Sequence, residues 1–520
     1  SDEDGLTGLE EYRYARSNPG WGSNRWTLSP LNPDSDGDGI GDLNGLIAKL
    51  DYLNDGDPAT STDLGVTGIW LMPVAESPSY HGYDVVDYKK IEKDYGTNED
   101  FKRLISEAHK RGIVVITDLV LNHTSSEHPW FVDAQTPGSA HENWYIWSNE
   151  RPDYLGPWGQ QVWHKSGLRY YYALFWEKMP DLNYRNGAVT EAMLDITRFW
   201  LEEMGVDGFR LDAIRHLIEE GPIQENTEAT HEWIKGFNRF VHTINPDALI
   251  VGEVWDETAE IVRYIGGKLD VAFEFALAEA LLDSVWRGDN AALVAAQEKI
   301  IAHYPKGQYA PFLTNHDQNR VMNALRNDWA SARLAATLLL TNPGVPFIYY
   351  GEEIGMRGAK PDERIRTPMQ WDSSPTAGFT TGTPWQQLAG DVTTVNVATQ
   401  SADDGSLLNH YRALIQLRME HPALRAGDMA LVKSDSCKVY AALRYGEGEA
   451  ILIVANLSET PVTDYALSLA SGPLKHVSVA RMLLGEGQPI APVVNAAGGF
   501  DAYTPLPTLE PKSALVIALK

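Results

Sequence analysis

Short, nearly continuous apolar runs recur along the chain, each closed by glycine, proline or an acidic residue. The clearest are Gly65-Val-Thr-Gly-Ile-Trp-Leu-Met-Pro-Val, Gly112-Ile-Val-Val-Ile-Thr-Asp-Leu-Val and Leu249-Ile-Val-Gly-Glu-Val. Runs this short that are apolar on both faces predict strands of a buried parallel sheet. Between them lie segments whose apolar positions repeat with helical spacing, at 43–53, 98–110, 187–204, 227–244, 329–340 and 405–420. Strands alternating with helices of this length predict a parallel α/β architecture. Strands at 65–74, 112–120, 206–212, 248–254, 269–275, 310–316 and 344–350 follow this alternation, and a first strand at 9–14 would complete a (β/α)8 barrel. The run at 9–14 departs from the pattern, because the charges, proline and glycines around it suit a central strand poorly. Two regions break the rhythm. Residues 124–184 are crowded with aromatics and show little periodicity, and from about 425 onward the segments are short and alternating, as an antiparallel β-sandwich requires.

Composition narrows the function. A chain of 520 residues exceeds one compact domain but accommodates a barrel with appendages, and 43% hydrophobic residues give it a large core. The net charge of −28 argues against nucleic acid and anionic membranes as partners and fits a neutral substrate. No apolar run is long enough to span a bilayer. Cys437 is the single cysteine, so no intramolecular disulfide forms, which is compatible with bacterial export. The acidic opening Ser1-Asp-Glu-Asp fits a processed terminus, and we expect a secreted, periplasmic or cell-surface monomer. The 16 tryptophans and 23 tyrosines exceed what the core needs, and flat aromatic faces suit sugar rings.

The stretch 208–216, Gly-Phe-Arg-Leu-Asp-Ala-Ile-Arg-His, reads as the end of a buried strand. Arg210 and Asp212 share one face of it, an expensive placement unless the two pair or serve chemistry. Two more acidic strand ends follow, Val-Gly-Glu253-Val-Trp and Phe-Leu-Thr-Asn-His316-Asp317. One carboxylate at the end of each of three strands predicts that Asp212, Glu253 and Asp317 meet in one pocket, at the barrel face where active sites form.

These three motifs, with Asp118-Leu-Val-Leu-Asn122-His123 and Met179-Pro-Asp-Leu-Asn183, resemble the α-amylase family of glycoside hydrolases, in family order and over nearly the whole chain. The resemblance implies a (β/α)8 TIM barrel, domain A, at 1–123 and 185–424, an inserted domain B at 124–184, and a C-terminal antiparallel β-sandwich, domain C, at 425–520. It implies Asp212 as nucleophile, Glu253 as general acid/base and Asp317 as transition-state stabiliser of a retaining reaction, whose two carboxyl groups lie about 5–5.5 Å apart. Arg210 is expected to keep Asp212 ionised by charge pairing, and the apolar setting of Glu253 to raise its pKa. His81, Tyr83, His123 and His316 are implied to bind the sugar at the cleavage subsite, with Arg215 and His216 on the leaving-group side.

Metal is expected too. Asp34, Asp36, Asp38 and Asp42 present acidic oxygens at alternate positions around glycines, with the Ile40 carbonyl among them, like an EF-hand calcium loop; magnesium is the alternative. The family also implies a second calcium held by Asn122, Asp181 and the His216 carbonyl. On specificity the motifs are mixed. Met-Pro-Asp-Leu-Asn resembles a group intermediate between oligo-1,6-glucosidases and neopullulanases, mostly α-amylases. The segment Arg366-Thr-Pro-Met-Gln-Trp-Asp372 resembles α-glucosidases and trehalose-forming isomerases. The expected activity is endo hydrolysis of α-1,4-glucans, because Tyr80 stands where exo-acting relatives carry an aspartate that grips the terminal sugar. Arg366, the usual partner of that acid, is then expected to pair with Asp362 or Glu363. An exo-acting α-glucosidase or transglucosylase is the alternative, and a non-catalytic binding subunit the distant one.

Overall fold

The computed structural model describes residues 41–520. The expected strand at 9–14 and the loop positions Asp34, Asp36, Asp38 and Ile40 lie outside them. Six strands run parallel in chain order as one sheet: β1 (Gly68–Leu71), β2 (Val114–Leu119), β3 (Gly208–Leu211), β4 (Leu249–Gly252), β5 (Val271–Phe273) and β6 (Tyr309–Ala310). Each neighbouring pair is parallel. The fold is a (β/α)8 barrel with an inserted domain and a C-terminal β-sandwich. Ile116, Val251, Val271, Phe273, Ala310 and Phe312 form one apolar core, joined by Trp70 and Phe347.

The last two barrel strands are shorter than the pattern predicted. The seventh, expected over 310–316, is a two-residue strand, and the eighth, expected over 344–350, has no regular ladder. Pro311, Pro343 and Pro346 explain this, since each removes an N–H from the ladder. What remains is a one-sided continuation, in which Val345 N–H donates to Tyr309 O at 3.0 Å and Phe347 N–H to Pro311 O at 2.9 Å. The segment therefore follows β6 as a barrel strand would.

The outer helices follow their signals closely. Asn98–Lys110 begins with a capping box, with Thr97 accepting from Asp100 N–H while Asp100 accepts from Thr97 N–H. The expected helix 187–204 is α-helical over Gly187–Arg198 and continues as a π-turn over Phe199–Met204, ending at Gly205 in the left-handed region. The helical stretch at 43–53 divides into Asp42–Ile47 and Leu50–Leu53.

Within the aromatic-rich insertion, Trp147–Ser148, Arg169–Tyr172 and Trp163–Ser166 form a three-stranded antiparallel sheet over Val162, Trp163, Tyr172 and Leu174. The C-terminal region contributes seven antiparallel strands. Strand Asp428–Ser434 pairs with Val439–Gly446 through its first half and with Leu467–Leu469 through its last two residues, so it passes from one sheet to the other. Leu443, Leu452, Val454, Leu467, Phe500 and Ile517 fill the space between. Among the described residues no helix is long and apolar enough to cross a membrane.

Candidate active site

Strand register builds the site. β2 and β3 align so that Asp118 lies directly beside Arg210, and β3 and β4 align Leu211 with Gly252. Asp212 and Glu253 therefore sit one residue beyond paired positions, at the C-terminal mouth. Two residues with unusual backbone make this close approach work. Gly208 has φ 151°, and a Cβ there would fall 2.0 Å from Leu249 O, so only glycine lets β3 meet β4. Ala213, directly after Asp212, has φ 46°, a costly conformation for alanine, and its N–H donates to Glu253 Oε2 at 3.0 Å.

Arg210 organises the cluster and is 1% exposed. Its Nη1 donates to both oxygens of Asp118 at 2.9 Å and to Asp212 Oδ1 at 2.6 Å, and its Nη2 lies 2.8 Å from Glu253 Oε2. One buried cation thus faces three carboxylates, two of them buried and that of Glu253 nearly so. Burial and mutual repulsion push Asp118 up to about 8 and Glu253 up to about 7, although Arg210 opposes both. The Asp212 carboxyl is also raised. Arg210 pairs with it, and the guanidinium's charge and hydrogen bond oppose the burial that raises it. The cluster keeps a proton near neutrality. Asp118 accepts from Arg210 through both oxygens and from Tyr83 Oη at 3.1 Å, contacts that suit its ionised form. Glu253 likewise accepts from Ala213 N–H and lies 2.8 Å from Arg210 Nη2.

Asp317 has the opposite environment. Burial works against its ionisation, but His316 and the cations Arg366, Lys360 and Arg210 override it and hold the carboxyl well below the usual range. Arg366 Nη2 is 2.7 Å from Asp317 Oδ1 and 3.3 Å from Asp362 Oδ2, while its Nε donates to His316 O. Arg366 therefore reaches the expected Asp362, but its shorter contact is to Asp317.

Aromatic and imidazole rings line the same mouth. The loop between Ala75–Glu76 and Asp87–Ile91 carries Tyr80, His81 and Tyr83. Gly82 permits its turn, since a Cβ would meet Pro73 O at 2.7 Å. Tyr83 stacks on His316 with ring centres 5.9 Å apart, and its hydroxyl is 2.7 Å from His316 Nε2; His81 also stacks on Tyr83, at 6.0 Å. Burial lowers His123 to about 4 and His316 to about 3, so both are neutral. His123 Nε2 is buried without a hydrogen-bond partner among the described residues.

The model of the α-amylase catalytic domain matches residues 32–427. Alpha-amylase 3 of Dictyoglomus thermophilum is 41% identical over 82% of each chain. The chain belongs to the α-amylase family. Other members are also similar: an oligo-1,6-glucosidase of Heyndrickxia coagulans is 34% identical over 83% of this chain and 90% of its own. The crystal structure of an α-amylase from H. orenii superposes with a TM-score of 0.79 at 40% identity, covering 94% of this chain and 97% of that one.

Within this α-amylase-family barrel, the remaining expected residues are placed as follows. Arg215 is tied down by Asp256 and Glu225, each at 2.9 Å, and by the Trp255 carbonyl. His216 is buried between Trp158 and Phe175, and its Nδ1 bonds Gln224 O at 2.9 Å. Asn122 and Asp181, the expected second calcium ligands, lie together, with Asn122 Nδ2 donating to Asp181 Oδ2 at 2.9 Å. Leu174 N–H donates to the other Asp181 oxygen at 2.9 Å. Both carboxylate oxygens thus have protein donors, while Asn122 Oδ1 is buried without a hydrogen-bond partner among the described residues. Among the described residues no group of three or more acidic, histidine or cysteine side chains converges as a metal site. Asp118 is the member of this cluster that the sequence reading did not single out as a site residue. An acid inside the apolar run at 112–120 is the same signal that singled out Asp212.

Proposed function

We propose that this protein is a retaining hydrolase of α-1,4-glucans, acting within starch-like chains and on maltooligosaccharides. The observation that carries the reading is the pair Asp212 and Glu253 held on the one guanidinium of Arg210. Two carboxyls within reach of one Arg210 side chain suit the close spacing of a retaining pair better than the roughly 6.5–9.5 Å gap of an inverting one. Asp212 attacks the anomeric carbon while Glu253 gives its proton to the departing glycosidic oxygen. Glu253, now ionised, takes a proton from water, which displaces Asp212 and releases the sugar with its configuration retained. Asp317, held ionised, faces the positive charge that develops on the ring. Neutral His123 and His316 are suited to hydrogen-bond sugar hydroxyls, and Tyr83 to underlie the ring.

Endo action is favoured by Tyr80, where exo-acting relatives place an acid. A maltooligosaccharide blocked at its non-reducing end tests this: cleavage supports endo action, and an untouched substrate overturns it. The Arg366–Asp317 pair and the likeness to an oligo-1,6-glucosidase favour a second reading, exo-acting release or transfer of single glucosyl units, which the same substrate separates.

The loop 34–42 supports a further part of the proposal, one bound calcium ion with carboxylate ligands. Chelation is expected to lower the Tm, because an ion bound only by the folded chain stabilises it; an unchanged Tm with no metal found by elemental analysis refutes the ion. A polymeric substrate also suits the proposed location outside the cytoplasm.

A further inference from the structure

We propose that Trp385 is a sugar-binding residue that, with Tyr80, forms a two-ring wall for the α-glucosyl unit next to the cleavage subsite on the non-reducing side. This rests on the α-glucan reading above. Tyr80 is coupled to the acids through Arg366, whose guanidinium carbon lies 5.8 Å from the Tyr80 ring centre while its Nη2 holds Asp317 at 2.7 Å. Trp385 stacks on Tyr80 with ring centres 5.8 Å apart and planes 26° from parallel. Both rings are half-buried, so neither is closed off.

The segment that carries Trp385 is fixed at its two ends. At the near end, Trp371 and Asp372 N–H groups both donate to Ala377 O, and Trp371 and Phe379 pack against the barrel-side core. At the far end, Asp391 pairs with Arg357 at 3.2 Å and accepts from Thr394 and Val395 N–H. Trp385 lies between these anchors and, unlike Trp371 and Phe379, belongs to no hydrophobic core among the described residues. A tryptophan withheld from the core and held against a ring above the acids presents the apolar, flat surface that a glucose face requires. Tyr80 alone offers a phenol beside a cation; the pair extends that surface outward along the bound chain.

The test uses two substrates with one leaving group, 4-nitrophenyl α-maltoside and 4-nitrophenyl α-glucoside, which differ by one non-reducing glucose. The ratio of their kcat/KM values for nitrophenol release is expected to fall roughly fivefold to tenfold in Trp385→Ala and to recover largely in Trp385→Phe, as loss of one stacking contact implies. A ratio within twofold of wild type means that Trp385 only packs its loop, and a raised ratio means that it obstructs the second sugar; either overturns the proposal. If the wild type releases nitrophenol from neither substrate, the hydrolase reading is what fails. The wall is then decided by calorimetric titration of Asp212→Asn with maltotriose. Affinity should drop fivefold to tenfold when Trp385→Ala is added, and equal affinity, or no binding at millimolar sugar, refutes it.

Discussion

Two sets of buried arginines hold this molecule together, and they do so by opposite means. At the barrel mouth Arg210 meets three carboxylates. At the seam between barrel and β-sandwich, Arg418 and Arg444 meet backbone carbonyls. Arg418 donates to Leu340 O, Asn342 O and Gly344 O, and Arg444 to Thr341 O, Leu424 O and Gly427 O. Burial lowers Arg418 to about 10 and Arg444 to about 9, the second helped by repulsion from the first, so both remain cations at neutral pH. Carbonyl dipoles satisfy a guanidinium without adding a group that titrates. Carboxylates satisfy it too, but crowding them shifts their pKa values and stores a proton among them. The seam uses arginine as a bolt, and the mouth uses it to set protonation states.

The comparison is broken most severely at the mouth. Asp212→Asn is expected to reduce turnover by about a thousandfold or more, since it removes the proposed nucleophile, while circular dichroism and Tm stay near wild type. Activity within tenfold, with deamidation excluded, would refute the role. Glu253→Gln comes next. It should lower kcat on maltooligosaccharides by roughly 10²–10⁴-fold but far less on activated aryl glucosides, whose leaving group needs no proton. Equal losses on both would remove Glu253 from the proton-donor role.

The seam predicts the reverse pattern. Arg444→Met leaves several carbonyls buried without a donor and should cost about 3 kcal/mol of stability, read as a Tm lowered by roughly 3 °C. At a temperature where the variant is folded, its pH–rate profile should match the wild type. A displaced pH optimum would show that the two arginine sets are coupled and that the division drawn here is wrong.

Much of the mouth was legible because strand-end acids in apolar runs are conspicuous. Asp212, Glu253 and Arg210 stand out for that reason, and the structure brings them within hydrogen-bonding reach. Asp118 carries the same signal, but its relevance depends on the register that sets it beside Arg210, and register is a long-range property. The barrel could be counted from its apolar runs, whereas the shortness of its last two strands follows from prolines that the count ignored. Arg418 and Arg444 were invisible, because a cation bound to carbonyls leaves no partner residue in the sequence. Trp385 was equally hidden among tryptophans, since nothing local distinguishes one that stacks on Tyr80 from one that packs on the core.

The mildest prediction concerns pH and sharpens the contrast. Glu253 must carry its proton when the glycosidic oxygen departs, and burial near Asp212 and Asp317, only partly offset by Arg210, places its pKa at about 7. The protonated fraction, and with it kcat/KM, therefore falls as pH rises through about 7, approaching tenfold per unit well above it. The low-pH limb has a different owner. Asp212 must be ionised, and its raised pKa places the acid-side loss above the ordinary aspartate range, so activity falls as pH drops through that value. Asp317, depressed by its cations, stays ionised across both limbs and contributes to neither. Glu253→Gln should abolish the alkaline limb on an activated aryl glucoside while the acid limb remains. If the alkaline limb persists in that variant, another group owns it, and Asp118, pushed up to about 8 beside the same guanidinium, is the one to replace next.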